Sequence, residues 1–342
     1  MPATYDAILL VSFGGPEGSD DVMPFLENVL RGRNVPRERM LEVAQHYQHF
    51  GGVSPLNEQN RQLIAALEQE LAAHGPQLPI YWGNRNWDPL LPDTLRQMAN
   101  DGIQRALSFF TSAYSSYSGC RQYREDIERA QAEVGVQALQ VDKLRVFFNH
   151  PGFIEPQVES VAKCLEKVPT ERRSATPLMF TAHSIPLSMS ENCDYTAQLQ
   201  EACRLVAAGV GHDRYELVYQ SRSGPPQQPW LEPDICDRLN TLHKQEDLQD
   251  VVLLPIGFIS DHMEVLFDLD TEAYELCQRL NVNMHRAATV GTHPRFVRMI
   301  RELISERVDD NPVRLALGDK LPGHDVCPVD CCRYTPGRPP AR

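Results

Sequence analysis

The chain contains no run of about 18 apolar residues, the length a helix needs to cross a bilayer, so no transmembrane segment is expected. It is also short of positive charge. Lys and Arg number 33 against 46 Asp and Glu, for a formal net charge of −13. Phosphate binding needs a basic face, so no nucleic acid partner is expected. An acidic surface concentrates cations instead, which makes a small cation the better-matched partner. Met1 to Asp6 hold no basic stretch and run directly into apolar residues. No secretory leader is read there, and a cytoplasmic location is expected, with peripheral membrane contact left open. The nine cysteines are odd in number and scattered. They do not make a secreted disulfide framework, and most are expected to be reduced packing residues.

At 342 residues with 42% hydrophobic and 23% charged content, the chain is long enough for two ordinary globular domains. Short apolar runs predict strands at residues 7–13, 78–83, 105–111, 144–148, 176–182, 215–220, 250–258 and 286–290. Several are continuous rather than alternating, as in strands covered on both faces. Helical periodicity between them predicts helices at 56–73, 120–134, 156–167, 195–208 and 265–280. The alternation means an α/β architecture with parallel sheets, four strands on each side of about residue 150. The halves also echo each other. "LLVSFGGP" (9–16) and "MFTAHSIP" (179–186) share one build, and aligning their prolines sets Phe13 opposite His183. Both lie at the carboxyl ends of first strands, where open α/β sheets bind ligands. The expected domains are 1–150, 151–308 with its last helix packing back on the first, and a tail at 309–342. That tail is rich in Pro, Gly and Cys and reads as extended and in need of an external anchor.

Four segments hold residues that can do chemistry. His183 follows a strand and precedes Pro186; a structural loop histidine is the plainer reading, until "PIGFISDHMEVLFDLDTEAYE" (255–275) is set beside it. Glu264, Asp268 and Glu272 recur every four residues there, so on a helix they form one acidic stripe. Like charges at that spacing cost a few tenths of a kcal/mol per pair, and a solvated face is their usual meaning. Here the stripe starts where a strand ends, and carboxylates with an imidazole suit a divalent cation such as Fe2+. "YQSRSGPPQQPWLEP" (219–233) is turn-rich, with a Trp230 of buried type. "HYQHFGGVSPLNEQN" (46–60) places Ser54 before Pro55 and a long helical pattern, either as a cap or as part of an anion site.

These segments together resemble the ferrochelatases, which insert Fe2+ into a porphyrin. The resemblance is carried by "SFGGP", "GGVSPLN", "TAHSIP", "YQSRSGP" with "WLEP", and "PIGFISDHMEVLFDLDTE", in order, over about residues 5 to 308. It implies two Rossmann-like chelatase domains, with four-stranded parallel sheets facing across a cleft for the porphyrin. It implies that His183 and Glu264 are the catalytic, metal-binding pair, meeting across a slot the size of a tetrapyrrole, with Asp268 and Glu272 continuing the metal track. Phe13, Ser54 and Tyr123 take the porphyrin-binding positions; Arg31, Arg33 and His46 are candidate lip contacts, which surface solubility explains equally well. Some members have a tyrosine at the position of Phe13, whose phenolate can ligate product iron; Phe13 cannot. The resemblance is greatest to actinobacterial members, through "TSAYSSYSGCRQYRED" (111–126), and implies coproporphyrin III as substrate, in haem synthesis. Protoporphyrin IX, a cobalt or nickel chelatase, and a non-catalytic haem carrier or iron–sulfur sensor stand as alternatives. Transient contact with neighbouring haem-pathway enzymes is a further implied partnership. Some family members hold a [2Fe–2S] cluster with three C-terminal cysteines and one internal one. By position these would be Cys327, Cys331 and Cys332 with Cys164, while zinc competes for four thiolates. The adjacent pair Cys331–Cys332 departs from the wider family spacing. Cys120, Cys193, Cys203, Cys236 and Cys277 read as packing residues.

Overall fold

The computed structural model describes residues 4–32, 35–224 and 227–334. The described residues form two four-stranded parallel sheets of the same strand order. The first contains β1 (Ala7–Ser12), β2 (Ile80–Asn84), β3 (Arg105–Phe110) and β4 (Gln140–Lys143), ordered β2-β1-β3-β4. The second contains β5 (Leu178–His183), β6 (Tyr215–Gln220), β7 (Asp250–Leu254) and β8 (Asn283–Arg286), ordered β6-β5-β7-β8. The helices of the first half are α1 (Val22–Val29), α2 (Arg37–His49), α3 (Leu56–His74), α4 (Leu91–Asn100) and α5 (Gln122–Val134). The second half has α6 (Pro151–Lys167), α7 (Leu187–Ser190), α8 (Tyr195–Gly209), α9 (Ile235–Gln245), α10 (Met263–Phe267), α11 (Tyr274–Arg279) and α12 (Pro294–Val308). In each sheet the chain leaves its first strand toward one edge and then crosses to the other side. The carboxyl ends of β1 and β5 are therefore the topological switch points that open α/β sheets use for ligands. The motif loops after Ser12 and after His183 emerge there.

Both fourth strands differ from expectation. Residues 144–148 were expected to form a strand, and so were 286–290; the strands are Gln140–Lys143 and Asn283–Arg286. Each is an edge strand with a single neighbour, so it needs little apolar surface. The run Leu144–Val146–Phe147–Phe148 is buried as loop, with Phe147 stacked on Phe109 at 5.4 Å between centroids. Apolarity there records burial between the halves, not a strand. β7 stops at Leu254 because Pro255 has no N–H for the ladder.

One apolar cluster runs through both halves, including Leu10, Phe109, Phe153, Phe180, Leu254 and Phe296. The last helix, α12, reaches back to the first half. Its Glu306 takes both oxygens to Arg145, at 2.7 and 2.8 Å, with both side chains almost fully buried. Its Arg301 pairs with Glu70 of α3 at 2.8 Å. No described helix is long and apolar enough to cross a membrane.

The tail was expected to need an external anchor. Its described part is anchored on this chain. Leu317 N–H donates to the Asn149 carbonyl at 2.8 Å, and Asn149 Nδ2 donates to the Lys320 carbonyl at 2.8 Å. Arg145 donates to the Leu315 carbonyl at 2.8 Å, and Arg121 to those of Val329 and Cys331 at 2.9 and 3.0 Å. The buried 144–149 loop thus presents the polar groups that an irregular segment requires.

Candidate active site and cysteine centre

His183 is the last residue of β5. The chain after it is held by the last residue of β6 and by a second short ladder to the "PWLEP" segment. Ser184 N–H donates to Gln220, Leu231 N–H to Ile185, Leu187 N–H to Pro229, and Ser184 Oγ to Leu231, at 2.8 to 3.0 Å. Trp230 closes this brace, 9% exposed. A Cβ on Gly224 would sit 2.4 Å from its indole, so only glycine fits there. The third motif is therefore the support of the second.

The brace sets the histidine's tautomer. His183 Nδ1 lies 2.5 Å from the Ser184 carbonyl, which can only accept, so the neutral ring carries its proton on Nδ1. Nε2 is left with its lone pair, 3.7 Å from Glu264 Oε2. Two acceptors face each other, and a proton or a cation between them satisfies both. Two donors at about 2.1 Å from one ion stand about 3 to 3.7 Å apart, so the pair is spaced for a shared metal. Both residues belong to the second half and stand on one wall, because β5 and β7 are neighbours and α10 follows β7. They do not face each other across a slot, as the resemblance implied.

The acidic stripe lies on a helix that is not α throughout. α10 passes into a π-turn, Asp268–Ala273, before α11. Such turns are rare and concentrate at functional sites. Asp268 accepts from Gln220 Nε2 at 3.2 Å and from Ser221 Oγ. Ser221 holds φ 61°, a left-handed conformation uncommon for serine, as it reaches Asp268. Burial pushes the Asp268 carboxyl up to about 7, with Glu264 and Glu272 adding to the rise and the Ser221 and Gln220 hydrogen bonds opposing it. Glu272 is raised by burial and by Asp234.

The first half contributes the other lip. Phe13, at the end of β1, is 37% exposed, as is Leu187 of α7, while Val53 is 45% exposed. These apolar rims suit the flat faces of a macrocycle. Gly14 has φ 81°, and a Cβ on Gly15 would lie 2.6 Å from Ser54 Cβ, so the two glycines let "SFGGP" and "GGVSPLN" interlock. α2 reaches the acidic helix: His46 stacks on Phe267 at 3.8 Å, 9° from parallel. Tyr47 is half-buried; desolvation raises its phenol, and the nearby Glu264 charge raises it further. Arg33 lies outside the described residues.

Two of the expected porphyrin contacts are turned inward. Ser54 is 5% exposed, with its Oγ accepting from Leu56 N–H at 3.4 Å. Tyr123 is 5% exposed, packed on Phe110 with the Arg85 guanidinium 4.6 Å from its ring centre. The close Gly15–Ser54 contact and the β3–α5 core bury them, which neither motif showed.

The tail cysteines do meet an internal cysteine, but it is not Cys164. Cys164 is buried in the apolar cluster, with Lys167 and Arg286 as its charged neighbours. Cys120, expected to be a packing residue, shares a hydrogen bond with Cys327. That bond, aided by the Lys143 and Arg124 charges, pulls the Cys327 thiol down while Cys120 is raised as the donor. Cys331 Sγ lies 3.5 Å from Cys332 Sγ and 3.9 Å from His324 Nε2. Cys193 is close enough for its charge to act on both Cys331 and Cys332. Cys120 sits in a second π-turn, Tyr117–Arg121. Nothing local to "SGCRQ" marks Cys120 as a partner; only the docking of the tail brings Cys327 to it.

Comparison with known proteins gives the family. The ferrochelatase family profile matches residues 5–308. A ferrochelatase of Rhodopirellula baltica is 61% identical over 336 residues, covering 98% of this chain and 95% of its own. A coproporphyrin III ferrochelatase of Streptomyces coelicolor is 50% identical over 360 residues, covering 98% and 96%. Among solved structures, SirB from Bacillus subtilis with Fe3+ superposes with a TM-score of 0.55 at 13% identity, over 90% of this chain and 97% of its own, a likeness of fold. With the profile spanning both sheets and His183 and Glu264 paired at the switch point of the second, the chain belongs to the ferrochelatase family.

Proposed function

We propose that this protein inserts Fe2+ into coproporphyrin III, releasing two protons, as a step of haem synthesis. The observation that carries the reading is His183 Nε2, its ring oriented by the Nδ1 contact to the Ser184 carbonyl, held 3.7 Å from Glu264. Metal insertion removes a proton from each of two pyrrole nitrogens while the four ring nitrogens take the ion. His183 Nε2 is the acceptor for those protons, the usual role of an imidazole in proton transfer. Glu264 holds the incoming ion beside it. Asp268, raised to about 7 and hydrogen-bonded to Ser221, exchanges a proton near neutrality on the same helix. Phe13, Leu187 and Val53 give the ring apolar contact. The choice of coproporphyrin III draws on the name of the Streptomyces coelicolor relative, at 50% identity. Anaerobic protein supplied with Fe2+ is expected to metallate coproporphyrin III at least tenfold faster than protoporphyrin IX. Equal rates, or a preference for protoporphyrin IX, would overturn the substrate assignment.

A [2Fe–2S] cluster is the second part of the proposal, now seated on Cys120, Cys327, Cys331 and Cys332. Two thiolates on one tetrahedral metal stand about 3.8 Å apart; Cys331 and Cys332 are such a pair at 3.5 Å, and Cys120 is the internal cysteine that interacts with Cys327. Arg124 Nε is buried with no partner among the described residues, and its charge acts on Cys327 and Cys331, so an anionic sulfur centre would satisfy it. Bound there, a cluster supplies one-electron redox capacity and ties the tail to the π-turn. Iron and acid-labile sulfide are expected in equal amounts, lost in Cys120→Ser and kept in Cys164→Ser. The reverse pattern would restore Cys164 and refute Cys120.

A further inference from the structure

The cysteine centre has one donor more than a cluster uses on its open side, the imidazole of His324. The ligand atoms of His324, Cys327 and Cys331 all lie within 4.8 Å of one another. His324 Nε2 is 3.9 Å from Cys331 Sγ. A nitrogen at about 2.0 Å and a sulfur at about 2.3 Å from one tetrahedral ion are separated by about 3.5 Å, so these three donors need only small rotations to share an ion. Cys120, which interacts with Cys327 but lies outside that compact trio, supplies the fourth. Cys332, 4% exposed with its sulfur 3.5 Å from that of Cys331, is also outside the trio, and it is the member an imidazole would replace. The same basin thus offers two ligand sets that differ in one member. A two-iron cluster takes the pair Cys331 and Cys332 and leaves His324 outside. A single ion takes His324 and leaves Cys332 outside.

We infer that the cluster-free protein binds one Zn2+-type ion through Cys120, Cys327, Cys331 and His324. Three thiolates with one imidazole select a borderline-soft tetrahedral divalent ion, Zn2+ or its spectroscopic substitute Co2+, over hard ions such as Mg2+. Binding releases to solvent whatever thiol protons the ligands carry, with no change of oxidation state. Lys143 and Arg124 face the basin and offset the thiolate charge, as they would for a cluster. The inference uses the grouping of cysteines described above but not the cluster itself.

Co2+ titrated anaerobically into the full-length, cluster-free, reduced protein tests it. One equivalent is expected to give intense visible absorption from tetrahedral cobalt and a thiolate-to-cobalt band, which an ion at His183 and Glu264 cannot give. His324→Ala should weaken that binding at least tenfold, His324→Cys should restore it, and Cys332→Ser should leave it within twofold. The cluster-loaded forms should behave in reverse: His324→Ala keeps iron and sulfide, and Cys332→Ser loses them. Wild-type cobalt affinity in His324→Ala, an equal loss in Cys332→Ser, or no thiolate-to-cobalt band in the wild type would each refute the site. A protein that never holds iron and sulfide but shows the cobalt pattern would sink the cluster proposal and leave this one standing.

Discussion

Changing His183 to alanine is expected to slow Fe2+ insertion by about 10²–10⁴-fold, the usual contribution of a positioned acid–base group. Porphyrin binding should persist, because the exposed apolar side chains Phe13, Leu187 and Val53 supply the contact with the ring. The size of the effect follows from the tautomer. With Nδ1 held by the Ser184 carbonyl at 2.5 Å, the single lone pair of the ring points at Glu264, and no other described imidazole in the wall is held in that way. His262 is nearby, but desolvation lowers its proton affinity more than the Glu264 and Asp261 charges restore it, so it is a poor substitute base. Rates measured under saturating porphyrin, with binding followed separately by fluorescence quenching, divide the two steps. A variant that metallates at the wild-type rate would remove His183 from the chemistry, and one that no longer binds porphyrin would make it a structural residue.

Asp268→Asn is expected to stabilise the protein by about 2–4 kcal/mol at pH 8, and to change little at pH 4. The carboxyl titrates at about 7 when folded, chiefly because it is buried, against an ordinary value of 3.8. Between those values the folded protein holds a proton that the unfolded chain has lost. Stability therefore falls as pH rises from about 4 to about 7, by up to about 1.4 kcal/mol for each pH unit crossed, and above 7 the full penalty is present. Asparagine carries no charge, and its amide oxygen still accepts from Ser221. Urea midpoints at pH 4 and pH 8 measure the difference. If the variant and the wild type differ equally at both pH values, the buried-carboxylate account is wrong. A protein that keeps such a group at a cost to stability has it for a function, and the left-handed Ser221 beside it points the same way.

Some of this was legible locally. The strands at 7–13, 105–111, 176–182 and 215–220 come within two residues of those found, because continuous apolar runs between helical periods admit few other readings. His183 follows from a strand that must end before Pro186, and Glu264 with Asp268 from a four-residue period beginning at a strand's end. Other features were not. The 144–148 run has the composition of a strand yet lies as buried loop, since what it packs against, Phe109 and the tail, is remote in sequence. The exposure of Phe13 and the burial of Tyr123 depend in the same way on which neighbours the fold supplies.

The amino-acid order alone determined the alternation of strands and helices and the residue types at the ends of β1, β5 and β7, because these are decided by periodicity and by where proline and glycine interrupt it. Tertiary structure decided the rest: which cysteine meets Cys327, the tautomer of His183, and the wall on which Glu264 stands. Each of those is a contact between segments far apart in the chain. Its geometry is set by how two sheets, a returning helix and a docked tail share one buried interior, and no local pattern carries that information.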